Sequence, residues 1–166
     1  MKLKNYISSF GTLAAKTGQA SSKYCGVLSL GTLLLGAASA TALTVTPLGV
    51  GKLPSGDIVL TAQFVLEPGD VVPWHYHSGY GWATIISGTL TLEDGCGGAP
   101  EEFTAGASFK EKAGIVHTAY NAGTVPMILL WTEIFPACQE PTIYVDGPSC
   151  SGKSSRPHPV KIPRCP

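Results

Sequence analysis

From Leu43 to Phe135 the chain is a succession of short apolar or alternating runs broken by Gly and Pro. Nine runs carry strand signals: Leu43–Leu48, Asp57–Leu66, Val72–His77, Gly81–Ser87, Thr89–Glu93, Glu101–Thr104, Ala107–Glu111, Val116–Asn121 and Val125–Phe135. The breaks between them have turn chemistry, as in Pro68-Gly69-Asp70, Ser87-Gly88, Asp94-Gly95 and Asn121-Ala122-Gly123. No stretch after residue 43 keeps a helical period with caps. Short strands at regular spacing predict an all-β sandwich or barrel. Thr84-Ile85-Ile86 and Met127 to Trp131 are continuous enough to predict burial on both faces. Pro136 to Pro166 holds seven prolines and little apolar periodicity, so it is expected to be an irregular tail wrapped on the barrel. His158, between two prolines in that tail, is assigned to the surface.

Ahead of the strands the pattern changes. Lys2, Lys4, Lys16 and Lys23 precede an apolar run from Gly26 to Ala37, then small residues from Ala38 to Ala42. Charged, apolar and small segments in that order predict a secretory signal over residues 1–42, cut after Ala40 or Ala42. An uncleaved membrane anchor is the alternative, since no charge falls between Tyr24 and Gly51; the Gly, Ser and Thr within the run count against it. The barrel is expected over residues 43–135 and the tail over 136–166.

The formal net charge is zero, with 11 basic and 11 acidic residues, but all four leader charges are basic. The remainder is therefore mildly acidic, without a basic stripe, which argues against a nucleic-acid partner. Removing the leader also removes Cys25 and leaves Cys96, Cys138, Cys150 and Cys165. An even count in an exported chain predicts disulfides, and the absence of a C-x-x-C pair argues against a zinc knuckle. The expected pairing is Cys96–Cys150 with Cys138–Cys165, which joins barrel to tail and ties the tail to itself.

Three of the four histidines fall in two short stretches. The first runs Gly69-x5-His75-x-His77-x3-Gly81-x6-Gly88; the second runs Gly106-x5-Lys112-x-Gly114-x2-His117-x3-Asn121. Alternate residues on a strand share a face, so His75 and His77 point the same way and His117 can complete a facial set. Neutral imidazole is the commonest metal-ligating side chain, and these three are the expected ligands of a divalent ion. Trp74 and Tyr76 alternate with the histidines and are expected to face away. Asn121 is assigned to the turn before Ala122-Gly123 in preference to the pocket, and the four outer glycines to turns. Glu133 is either a pocket acid or base or a strand-edge residue; the edge reading is preferred.

The two stretches resemble the paired motifs of the cupin superfamily, over roughly residues 57–135. In that resemblance Gly81 stands where the family has a glutamate, and Lys112 where it has proline. The resemblance implies a double-stranded β-helix, or jelly-roll barrel, with a metal inside it. It carries His75, His77 and His117 over as ligands of Fe, Mn, Zn or Ni, with no carboxylate. Three neutral ligands would leave the ion its full charge, favouring an anionic or chelating oxygen ligand, and would leave coordination positions open. Two functions follow: a small-molecule dioxygenase or related metalloenzyme, or a non-catalytic protein binding a small anionic ligand or the metal itself. The expected partners are that small molecule and, through the N-terminus, a membrane met transiently or permanently; a homodimer is compatible with the sequence.

Overall fold

The computed structural model describes residues 43–95, 99–148 and 159–165. The leader, Cys96, Cys150 and His158 lie outside these residues, and so do the readings that rest on them. All described regular structure is β: β1 (Thr44–Lys52), β2 (Ile58–Leu66), β3 (Val71–His77), β4 (Tyr80–Ser87), β5 (Thr89–Asp94), β6 (Glu101–Thr104), β7 (Ser108–Glu111), β8 (His117–Tyr120), β9 (Met127–Phe135) and β10 (Thr142–Tyr144). Each of the nine expected strands is present, and β10 is additional. The strands form two five-stranded antiparallel sheets, ordered β1-β2-β9-β4-β7 and β10-β3-β8-β5-β6. This is the double-sheet jelly roll expected from the sequence.

Period-two alternation decides what each sheet buries. In β9, Met127, Leu129, Trp131, Glu133 and Phe135 point inward, and the residues between them are only half-buried. β9 pairs with β2 along its whole length, from Leu66↔Met127 to Ile58↔Phe135, so Ile58, Leu60 and Leu66 meet it in one core. Each such aliphatic or aromatic side chain contributes about 1.5–3 kcal/mol by leaving water. The expectation of burial on both faces of β4 and β9 fails. Ile85 is buried while Ile86 is 50 % exposed, because the outer face of this sheet has no covering layer among the described residues.

The described part of the tail is irregular except at β10, which extends the second sheet through Thr142↔His77, Ile143↔Tyr76 and Tyr144↔His75. Further on, the Val160 amide donates to the Gly114 carbonyl at 2.7 Å. Gly114 has φ +76°, and a Cβ there would lie 2.6 Å from the Val160 oxygen, so the returning tail fits only over a glycine. The expected Cys138–Cys165 disulfide is formed and fastens this strap.

Candidate metal centre

A register shift between Val72 and His75 on β3 sets up the site. Pro73 has no amide hydrogen for the ladder, and the irregularity there changes which parity faces inward. Val72, His75 and His77 are therefore all buried, while Trp74 and Tyr76 are only partly so, as expected. His75 is the direct cross-strand partner of His117 on β8. The ring centroids lie 4.3 Å apart for His75–His117, 5.0 Å for His75–His77 and 5.2 Å for His77–His117.

Each imidazole is oriented through its outer nitrogen. His75 Nδ1 donates to the Pro73 carbonyl at 2.6 Å, His117 Nδ1 to the Ile115 carbonyl at 3.0 Å, and His77 Nδ1 to the Pro141 carbonyl at 3.2 Å. A carbonyl oxygen only accepts, so each Nδ1 carries hydrogen and each neutral ring keeps its lone pair on Nε2. One ligating nitrogen from each ring falls within 4.8 Å of the others. His117 Nε2 is buried and makes no hydrogen bond. Locked outer nitrogens, converging inner ones and an orphaned buried acceptor fit a divalent cation.

Two carboxylates missed as site residues complete the cluster. Glu111 on β7 places Oε2 3.2 Å from His77 Nε2 and Oε1 3.4 Å from His117 Nε2. Its Oε2 also accepts the Trp131 indole N–H at 2.7 Å. The expectation of a pocket without a carboxylate is thereby corrected. Glu133 is fully buried in a central strand, which corrects the strand-edge reading. Its Oε2 lies 3.6 Å from His77 Nδ1. The sequence held a signal for both. Glu111 shares the face of Phe109, and Glu133 continues the inward series Met127, Leu129, Trp131.

The electrostatics follow from crowding. Burial, then the neighbouring His117 and His77, push the His75 imidazolium down to about 3. Burial opposes charge on His77 too, but Glu111 and Glu133 outweigh it and push that ring up to about 10. Burial would raise Glu111, yet His77 and His117 hold it well below the usual carboxylate range. Burial raises Glu133. In the metal-free chain the two carboxylates therefore favour the protonated form of His77.

The histidines open into a cavity of about 50 Å³, walled by apolar residues such as Phe64, Leu66, Leu90 and Leu129 and edged by Tyr144. A water needs about 10–15 Å³ on this measure, so the space admits a ligand of only a few heavy atoms. A second cleft, of about 270 Å³, lies between β5–β6 and β7 with Asp94, Glu101, Lys110 and Lys112 on its walls. Glu111 and His117 line both. Asn121 stays out of the cavity. Its Nδ2 donates to the Leu66 and Val125 carbonyls and its Oδ1 accepts from Gly123, the expected turn role.

A barrel of two antiparallel sheets with inward histidines on β3 and β8 defines a double-stranded β-helix protein with a buried histidine site. The cupin-domain family model matches residues 62–133, which contain all three histidines, so this barrel carries a cupin domain. Among solved structures, oxalate oxidase in complex with the substrate analogue glycolate is similar at 19 % identity and TM-score 0.53, over 65 % of this chain and 57 % of that one. A conserved protein with a double-stranded β-helix domain from Klebsiella pneumoniae is similar at 27 % identity and TM-score 0.46, over 59 % and 83 %. An RmlC-like cupin family protein from Methanocaldococcus jannaschii is similar at 20 % identity and TM-score 0.49, over 58 % and 83 %. A comparison with curated protein sequences finds no match.

Proposed function

We propose that the protein is an exported, metal-dependent cupin whose His75, His77 and His117 hold one divalent ion, and that it is a dioxygenase or related enzyme for a small anionic molecule. The observation that carries this reading is the convergence of three Nε2 atoms whose Nδ1 partners are backbone carbonyls. The ion would supply a Lewis acid and a place for a chelating oxygen ligand. The chain supplies the rest: a small, largely apolar chamber beside the ion, and the buried carboxylates of Glu111 and Glu133 next to His77. The chamber's size favours a short carboxylate over a larger substrate.

The second reading is a non-catalytic binder of the same class of ligand. An oxygen electrode with metal-loaded protein and a panel of two- to four-carbon carboxylates separates the two. Oxygen uptake that needs both carboxylate and His77 supports the enzyme. Carboxylate binding by calorimetry, with no uptake for any member under Fe(II) or Mn(II) loading, supports the binder. Export is tested by N-terminal sequencing of secreted protein, which should begin after Ala40 or Ala42.

A further inference from the structure

Gly81 on β4 and Glu111 on β7 are direct cross-strand partners. A Cβ built on Gly81 would lie 2.9 Å from Glu111 Oε2 and 2.8 Å from Trp131 Nε1. The glutamate thus occupies the volume a side chain at position 81 would enter. Its side chain is only 10 % exposed, and among the described residues its ion-pair partners are His77 and His117. A carboxylate held in this much protein is costly unless its charge is compensated. Its Oε2 is further oriented by the Trp131 N–H, the kind of outer hydrogen bond that fixes ligating carboxylates.

We propose that Glu111 is the anionic ligand of the metal centre, delivered from β7 across the ladder in place of the side chain that Gly81 lacks. This rests on the three-histidine metal reading and changes its chemistry. The ligand set gains one negative charge, so the ion's net charge falls from +2 to +1 and its pull on exogenous anions weakens. The set also spans both sheets. His75, His77 and His117 belong to the sheet of β3 and β8, Glu111 to that of β4 and β7. Metal would therefore pin one sheet to the other.

The test uses metal-stripped full-length protein and Co(II) as the probe, in wild type, His117→Ala, Glu111→Gln and Glu111→Ala, with circular dichroism to establish folding. Both Glu111 variants should bind Co(II) about tenfold or more weakly. Once loaded, they should bind azide several-fold more tightly than wild type. In wild type, Co(II) should also shift a carboxylate stretch in the infrared difference spectrum, a readout needing no variant. If both Glu111 variants keep wild-type Co(II) affinity while His117→Ala loses it, the three-histidine site stands and the Glu111 ligand is overturned. Weaker Co(II) with unchanged azide affinity, or no carboxylate shift in wild type, also overturns it, leaving Glu111 as an outer positioning group. Wild type that takes up no Co(II) removes the metal reading and this proposal together.

Discussion

Glu133 Oε1 accepts the backbone N–H of Gly79 at 2.9 Å, so a fully buried acid in the middle of one sheet closes the turn between β3 and β4. Gly79 lies so close to the Ile134 carbonyl that no side chain fits there. The contact also holds Glu133 against the outer nitrogen of His77. Glu133→Ala leaves the Gly79 amide without its acceptor, at a cost of about 1–3 kcal/mol. Glu133→Gln keeps an oxygen for that amide and should be the more stable of the two in urea unfolding. Equal losses in both variants would mean that the charge matters and the hydrogen bond does not.

Gly81→Ala tests how tightly the site is packed. The added methyl meets two side-chain tips, Trp131 Nε1 and Glu111 Oε2, not backbone. Something must shift, and overpacking of this kind costs about 1–3 kcal/mol. The carboxylate is the mobile neighbour, so metal affinity should fall as well, although alanine removes no donor. Thermal melting of the metal-free variant gives the first quantity, and Co(II) calorimetry the second. Unaltered affinity would show that Glu111 does not need the space at position 81.

The histidine site and the barrel were legible in the sequence because both express strand periodicity directly. His75 and His77 sit two apart, and nine strands are bounded by turn residues. The carboxylates were harder for a physical reason. Glu111 reaches the site only through the pairing of β7 with β4, a relationship between residues 30 apart that no local pattern encodes. Glu133 was legible by parity, but a charged residue in an apolar strand reads as an edge unless its buried partners are known. β10 is three residues in a proline-rich segment, too short for any period, and it is a strand because the free edge of β3 offers it a ladder.

Trp131→Phe removes the indole N–H that Glu111 Oε2 accepts, while keeping an aromatic ring edge-on to Phe64. Loss of such an outer partner typically lowers metal affinity about 10–100-fold. The smaller ring also leaves a cavity in the core, so a stability loss of a few kcal/mol accompanies it. Affinity measured well below the melting temperature separates the two effects. Metal binding at wild-type strength would show that the carboxylate is held by packing alone.

The pH dependence of the metal-free protein should have a maximum near pH 6.5, on two opposed histidines. His77 is raised from 6.5 to about 10, so the folded chain keeps a proton that the unfolded chain releases. That contribution is complete below pH 6.5 and is lost as pH rises through 10. His75 is lowered to about 3, so below pH 6.5 the unfolded chain gains a proton that the folded chain refuses, and stability falls toward acid. A ligated His77 must give up its inner proton, so the rise in melting temperature on adding Zn(II) should grow as pH climbs toward about 10. Calorimetric scans with EDTA and with Zn(II) across this range check both limbs. A metal-induced rise that shrinks with pH would contradict the proton placement on His77.

The Cys138–Cys165 bond closes a loop of sequence separation 27, and its removal should loosen the tail before the barrel. By the chain-entropy relation, a loop of that size is worth about 3–4 kcal/mol. Among the described residues the returning strap is also tied by the Val160–Gly114 amide–carbonyl bond at 2.7 Å and by Gln139 Nε2 donating to the Pro163 carbonyl at 3.2 Å. Each is worth about 1 kcal/mol net, well below the contribution of the disulfide. Cys138→Ser should therefore raise hydrogen exchange at Val160 sharply while leaving the β2–β9 ladder protected. Gly114 sits three residues before His117, so a loosened strap should also raise exchange at the Gly114 amide, which donates to the His77 carbonyl at 2.9 Å. Uniform loss of protection across β2 and β9 instead would show that the bond stabilises the whole barrel, not its cover.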